Sequence, residues 1–118
     1  MPELFVYGTL KRGGRLHHNM DLRSCKYLRT VELEGFKMYD FGWYPGIIPG
    51  DGKVKGEVFE VTEEMLVHLD EVEGVPNWFR RERVNNMWVY LFNADIKEAS
   101  SIEGGLWCEP DQPAEDEP

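Results

Sequence analysis

Cysteine is nearly absent: Cys25 and Cys108 are the only two, far apart and with no C-x-x-C. Neither a disulfide framework nor a redox motif is present, and a reducing, cytoplasmic setting is expected. No apolar leader precedes "MPELFVYG", and no run approaches the ~18 apolar residues of a membrane span, so no membrane association is expected. Positive charge is scarce, with 13 Lys and Arg against 22 Asp and Glu and a net charge of −9. A nucleic-acid binder needs a basic surface to release phosphate counterions, which argues against such a partner. The three histidines, His17, His18 and His68, fit no H-E-x-x-H or Cys/His zinc spacing, so no metal is expected. There is no P-loop and no G-x-G-x-x-G after a strand, hence no expected nucleotide. Thr9 and Ser24 lack a G-x-S-x-G elbow, and Cys25 lacks the local signature of a nucleophile.

What the chain does have suits one domain: 118 residues, 42% of them apolar. Folding at this size buries roughly two-thirds of the unfolded chain's surface, enough for a core without disulfide or metal. The acidity is concentrated at the end. Residues 109–118, "EPDQPAEDEP", hold five acids and no base, which leaves the body, residues 1–108, at −4. That tail is rich in proline and charge, lacks the apolar residues that would offset the entropy of ordering, and is expected to be disordered.

Period-2 alternation predicts a strand over residues 3–7, then a glycine loop, then a short helix in "RLHHNMDL". Strands are expected in "KYLRTVEL" and "FKMYDF", separated by Glu34-Gly35. The second ends in "GWYPGIIPGDG", which reads as a Gly/Pro loop. Trp43, Tyr44, Ile47 and Ile48 make that loop unusually apolar; it either caps the core or walls a ligand. "KVKGEVFEV" is a further strand. "TEEMLVHLDEVEG" is the one strong helix, with Thr62 as N-cap, acids in its first turn, and Gly74 and Pro76 to stop it. "FRRERV" and "MWVYLFN" flank Asn85-Asn86, a tight hairpin turn, and the second, apolar on both faces, should be an inner strand. Five or six strands with one main helix predict a mostly β, barrel-like α+β domain.

On a helical wheel with Met65 at zero, Leu66, Leu69 and Val72 fall at about 100°, 40° and 340°, an apolar arc facing the core. Glu63, Glu64, Asp70 and Glu71 fall outside the arc, but Glu73 lies inside it at about 80°. Either Glu73 frays outward as a solvated last-turn acid, or it points inward. An acid at a helix C-terminus opposes the dipole and needs another reason to be there. Pointing inward, it would be desolvated, its pKa would rise above ~4.3, and it would suit a general base. Lys11, Arg12 and Arg15 beside the glycine loop read either as a solvated turn or as part of a binding site.

Two stretches, "FVYGTLKRG" and "VHLDEVEGVPNWFRRERV", together resemble the γ-glutamyl cyclotransferase-like family, including its γ-glutamylamine cyclotransferase branch. That family has a Y-G-[ST]-L loop and an L-D-x-x-E-G segment followed by Y-x-R. The similarity extends through "GEVFEV", "MWVYLFN" and "IEGGLW", most of residues 3–107. The resemblance implies a small β-barrel flanked by helices, a small-molecule γ-glutamyl substrate, and release of 5-oxoproline without a cofactor. It places Tyr7, Gly8, Thr9 and Leu10 around the glutamyl moiety and makes Glu73 the acid/base residue. It also matches Arg81 to the family arginine, which is either a structural salt bridge or a ligand contact. The chain departs from the pattern at Phe79, which stands where the family has tyrosine.

The chemistry implied is attack of the substrate's α-amine on its own γ-carbonyl, closing a lactam and expelling the attached amine or peptide. Two other readings remain open at this stage: a non-catalytic small-barrel binding module, and hydrolysis of the γ-glutamyl amide by water. The leaving amine and the oligomeric state are not legible in the sequence.

Overall fold

The computed structural model of the chain describes residues 1–12, 25–97 and 99–108. The short helix expected in "RLHHNMDL", with Arg15, His17 and His18, and the acidic tail lie outside the described residues. The elements are β1 (Glu3–Val6), β2 (Lys26–Asp40), β3 (Pro45–Glu60), α1 (Glu63–Val72), β4 (Phe79–Val84), β5 (Met87–Phe92) and β6 (Ser100–Ser101), followed by a 3-10 turn at Glu103–Gly105. The strands form one sheet in the order β4-β5-β1-β3-β2-β6, curled into an open half-barrel. β1 and β5 run parallel, and the other neighbours are antiparallel. The predicted class, mostly β with one main helix, is the one observed.

Side-chain alternation explains how one sheet supports two cores. Along β1, Leu4 and Val6 point to one apolar cluster while Phe5 and, just beyond the strand, Tyr7 point to the other. Along β5, Tyr90 and Phe92 join the first cluster, and Met87, Val89 and Leu91 the second. Both strands lie inside the sheet, so both faces are covered and, Glu3 apart, both sequences are apolar. α1 covers the first face through Leu66 and Leu69, fully buried and worth roughly 1.5–3 kcal/mol each. Thr62 caps the helix by accepting the Met65 N–H at 3.0 Å. The Asn85-Asn86 turn has both residues at positive φ, 50° and 67°, as a tight hairpin of primed type requires.

The structure corrects three expectations. The two strands expected in "KYLRTVEL" and "FKMYDF" are one continuous strand, β2, whose register shifts between Glu34 and Phe36. Gly35, at φ 91°, absorbs the bulge that looked like a break. The loop expected in "GWYPGIIPGDG" is β-strand from Pro45 onward, paired from Asp40↔Pro45 through Phe36↔Pro49. Its prolines are tolerated because only the end of β3, Val6↔Glu57 to Glu3↔Glu60, also pairs with β1, leaving the first half with one open edge. Val72, expected in the core-facing arc, is 41% exposed, because the helix ends there and a cavity opens in front of it.

Candidate functional site

A cavity of about 270 Å³ lies where the end of β1 meets the end of α1. Its walls are residues 5–10, Tyr44, Pro45, residues 72–74, Trp78, Phe79 and Tyr90. The structure thus brings together Tyr7, Gly8, Thr9, Leu10, Tyr44 and Glu73, six of the seven residues singled out from the sequence.

After β1 the chain turns sharply, and the Lys11 N–H donates to the Gly8 carbonyl at 3.0 Å. The turn follows one wall of the cavity, with Thr9 buried although polar. At Gly8 a Cβ would sit 2.5 Å from Pro45 Cγ, so a side chain there is excluded by the start of β3. The neighbouring cations hold the turn from outside the cavity. Lys11 Nζ donates to the Trp107 carbonyl at 2.9 Å, and Arg12 pairs with Glu57 while its guanidinium lies 3.8 Å from the Tyr27 ring centre.

On the opposite wall α1 ends in a Schellman motif. The Gly74 N–H donates to the Glu71 carbonyl at 3.2 Å and the Val75 N–H to the Asp70 carbonyl at 3.0 Å, with Gly74 at φ 69°. Glu73 is the C-cap residue, still in helical conformation, and its side chain faces the cavity. Among the described residues no donor or cation partners its carboxylate. Burial raises its pKa from the ordinary 4.5 to about 7. The same site pushes the Tyr7 hydroxyl well above its usual range, through burial first and then the nearby Glu73 charge. Tyr7 Oη donates to the Tyr90 carbonyl at 2.7 Å.

Arg81 is absent from the cavity wall. Its Nε and Nη2 donate to the two Asp70 oxygens at 2.7 and 3.0 Å, and its guanidinium lies 4.4 Å from the Trp88 ring centre. Tyr90 Oη donates to the same carboxylate at 2.7 Å, and burial, followed by that bond to Asp70, raises the phenol's pKa. Phe79 is buried between Tyr44 and Phe92, whose ring centres are 6.2 and 5.4 Å away, and Phe41 stacks on both Tyr44 and Phe92. In the stretch around Tyr44, Tyr44 and Pro45 line the cavity while Ile47 is fully buried in the core.

Sequence reasoning missed Tyr90, Val72, Gly74, Trp78 and Pro45 as wall residues and Asp70 as the partner of Arg81 and Tyr90. Tyr90 was hidden because its strand reads as continuous core. Trp78 stood within a quoted motif without an assigned role. No helix among the described residues is long and apolar enough to cross a membrane.

A family model described as gamma-glutamyl cyclotransferase, AIG2-like, matches residues 4–109. A provisionally named gamma-glutamylcyclotransferase of Vibrio cholerae is 35% identical over 111 residues, covering 90% of this chain and 95% of that protein. The gamma-L-glutamyl-butirosin B gamma-glutamyl cyclotransferase of Niallia circulans is 34% identical over 109 residues, covering 80% of this chain and 69% of its own. Among solved structures, protein PH0828 of Pyrococcus horikoshii superimposes with a TM-score of 0.78 at 28% identity, over 90% of this chain and 89% of that one.

Proposed function

The chain belongs to the gamma-glutamyl cyclotransferase, AIG2-like family, and on that premise we propose that it releases 5-oxoproline from a γ-glutamyl amine, as the γ-glutamylamine branch does. The observation that carries this reading is Glu73: a carboxyl without a partner among the described residues, raised to about 7, facing a cavity also walled by the turn of residues 7–10. An α-ammonium of pKa near 8 gives up its proton to such a group far more readily than to an ordinary glutamate.

In this reaction the Glu73 carboxylate takes a proton from the substrate's α-ammonium. The freed amine attacks the γ-carbonyl carbon within the same molecule, so the nucleophile arrives at high effective concentration once the glutamyl chain is folded into the cavity. The backbone of Gly8, Thr9 and Leu10 donates to the negative charge on the substrate carboxylate or the tetrahedral oxygen. As the bond to the leaving nitrogen breaks, Glu73 returns its proton to that nitrogen and takes the second proton from the new ring nitrogen, passing it to the departing amine or to water, so the neutral lactam and the amine separate. Tyr7 and Tyr90 remain neutral phenols and shape the cavity.

The test is 5-oxoproline release from γ-glutamyl amides, each paired with its N-blocked counterpart. Cyclisation requires a free α-amine, so the blocked compounds should be inert. Cleavage of blocked compounds would replace cyclisation with hydrolysis, and silence toward every free γ-glutamyl amide would remove the catalytic reading. For active amides, kcat/KM should rise with pH through about 7 as Glu73 ionises.

A further inference from the structure

The cavity is small: ligand pockets commonly run to about 300–1,000 Å³, and this one has room for the glutamyl half of a substrate. Its buried end is formed by residues such as Phe5, Tyr7 and Thr9, none more than 7% exposed. Two wall residues are at the same time open to solvent, Val72 at 41% and Trp78 at 59%, and they mark the mouth. They flank Glu73 and Gly74 in sequence, so whatever is attached to the γ-carbonyl leaves the cavity past them.

The Trp78 side chain stands beside the turn that ends the helix. Its backbone N–H donates to the Gly74 carbonyl at 2.9 Å, and its Cδ1 lies 3.0 Å from where a Cβ on Gly74 would stand. Most of the indole is left open to solvent at the edge of the cavity. An exposed aromatic surface beside an exposed valine suits an apolar or aromatic group better than a carboxylate.

We infer that the mouth of the cavity is a leaving-group subsite, with Trp78 as its platform, selecting γ-glutamyl amides of apolar or aromatic amines over those of amino acids. The inference rests on the proposed cyclotransferase reaction for its placement of the γ-carbonyl. It makes Trp78 a specificity residue, distinct from the proton-transfer role of Glu73.

Two substrates that share an N–CH2 group and differ in a phenyl ring against a carboxylate decide it: γ-glutamyl-benzylamide and γ-glutamyl-glycine, compared by kcat/KM for wild type, Trp78→Phe and Trp78→Ala. Wild type should favour the benzylamide by about tenfold, the scale of one aromatic contact. Trp78→Phe should keep most of that ratio, and Trp78→Ala should narrow it to about twofold, through KM. Equal treatment of the two substrates by wild type, or a ratio unmoved in Trp78→Ala, would overturn the subsite. Dissociation constants of both amides, measured on Glu73→Gln and on Glu73→Gln with Trp78→Ala, need no turnover. If no γ-glutamyl amide, these two included, yields 5-oxoproline, the catalytic reading fails, while a benzylamide preference in binding that disappears with Trp78 still sustains the subsite. Equal binding overturns it in either case.

Discussion

Asp70 and Glu73 stand three residues apart at the C-terminal end of α1. Asp70 accepts hydrogen bonds from Arg81 Nε, Arg81 Nη2 and Tyr90 Oη, whereas among the described residues nothing donates to Glu73. The helix dipole is unfavourable to both. For Asp70 a bidentate guanidinium and a phenol compensate, and that carboxylate joins the helix to β4 and β5. For Glu73 burial acts without compensation, and the acid holds its proton up to about pH 7. Asp70 is taken up by its neighbours as a tie between elements, whereas Glu73 faces open space where a ligand could meet it.

The sharpest break in this comparison is Glu73→Gln. It retains shape and removes the base, so 5-oxoproline release should fall by roughly 10² to 10⁴ while circular dichroism stays native. Wild-type turnover by that variant would end the assignment. Next in size, Asp70→Ala leaves a guanidinium and a buried phenol without their acceptor. Asp70 and Arg81 remain 24% and 21% exposed, so the loss should be about 2–3 kcal/mol, below that of a fully buried pair. Urea midpoints measure it, and a larger loss of stability in Glu73→Gln than in Asp70→Ala would invert the two roles.

A comparable effect concerns pH. Between about pH 4.5 and 7 the folded protein retains the Glu73 proton that the unfolded chain has released, so stability falls as pH rises through that window and is level above it. The fall should be on the order of 3 kcal/mol. Glu73→Gln should lack this component, making the variant more stable than wild type at pH 8 and nearly equal at pH 4. Parallel curves for the two proteins would show that Glu73 titrates as an ordinary surface acid.

What was legible in the sequence was local. Thr62 and Gly74 announced both ends of α1 because capping chemistry needs only a few neighbouring residues. Glu73 was visible because a helical period assigns a direction to each side chain. The long β2/β3 hairpin was not visible, since Gly35 and Pro45 have the same composition in a bulged strand as in a loop, and pairing partners decide which. The reason position 8 takes glycine was not visible either, since the space its missing Cβ leaves is taken by Pro45, a contact between residues 37 positions apart. The same holds for the Asp70, Arg81 and Tyr90 cluster, which arises where a helix end meets two strands.

The turn at Gly74 ends the helix, carries Glu73 immediately before it and has the Trp78 indole beside it. In the reaction and subsite proposed above, base and platform share one bracket. A fluctuation that tilts the bracket moves both together, so their separation is held even when their aim at the opposite wall wanders. In such an arrangement misalignment is a common-mode error, and precision at the scissile bond depends on a single joint, the one between this bracket and the turn of residues 7–10.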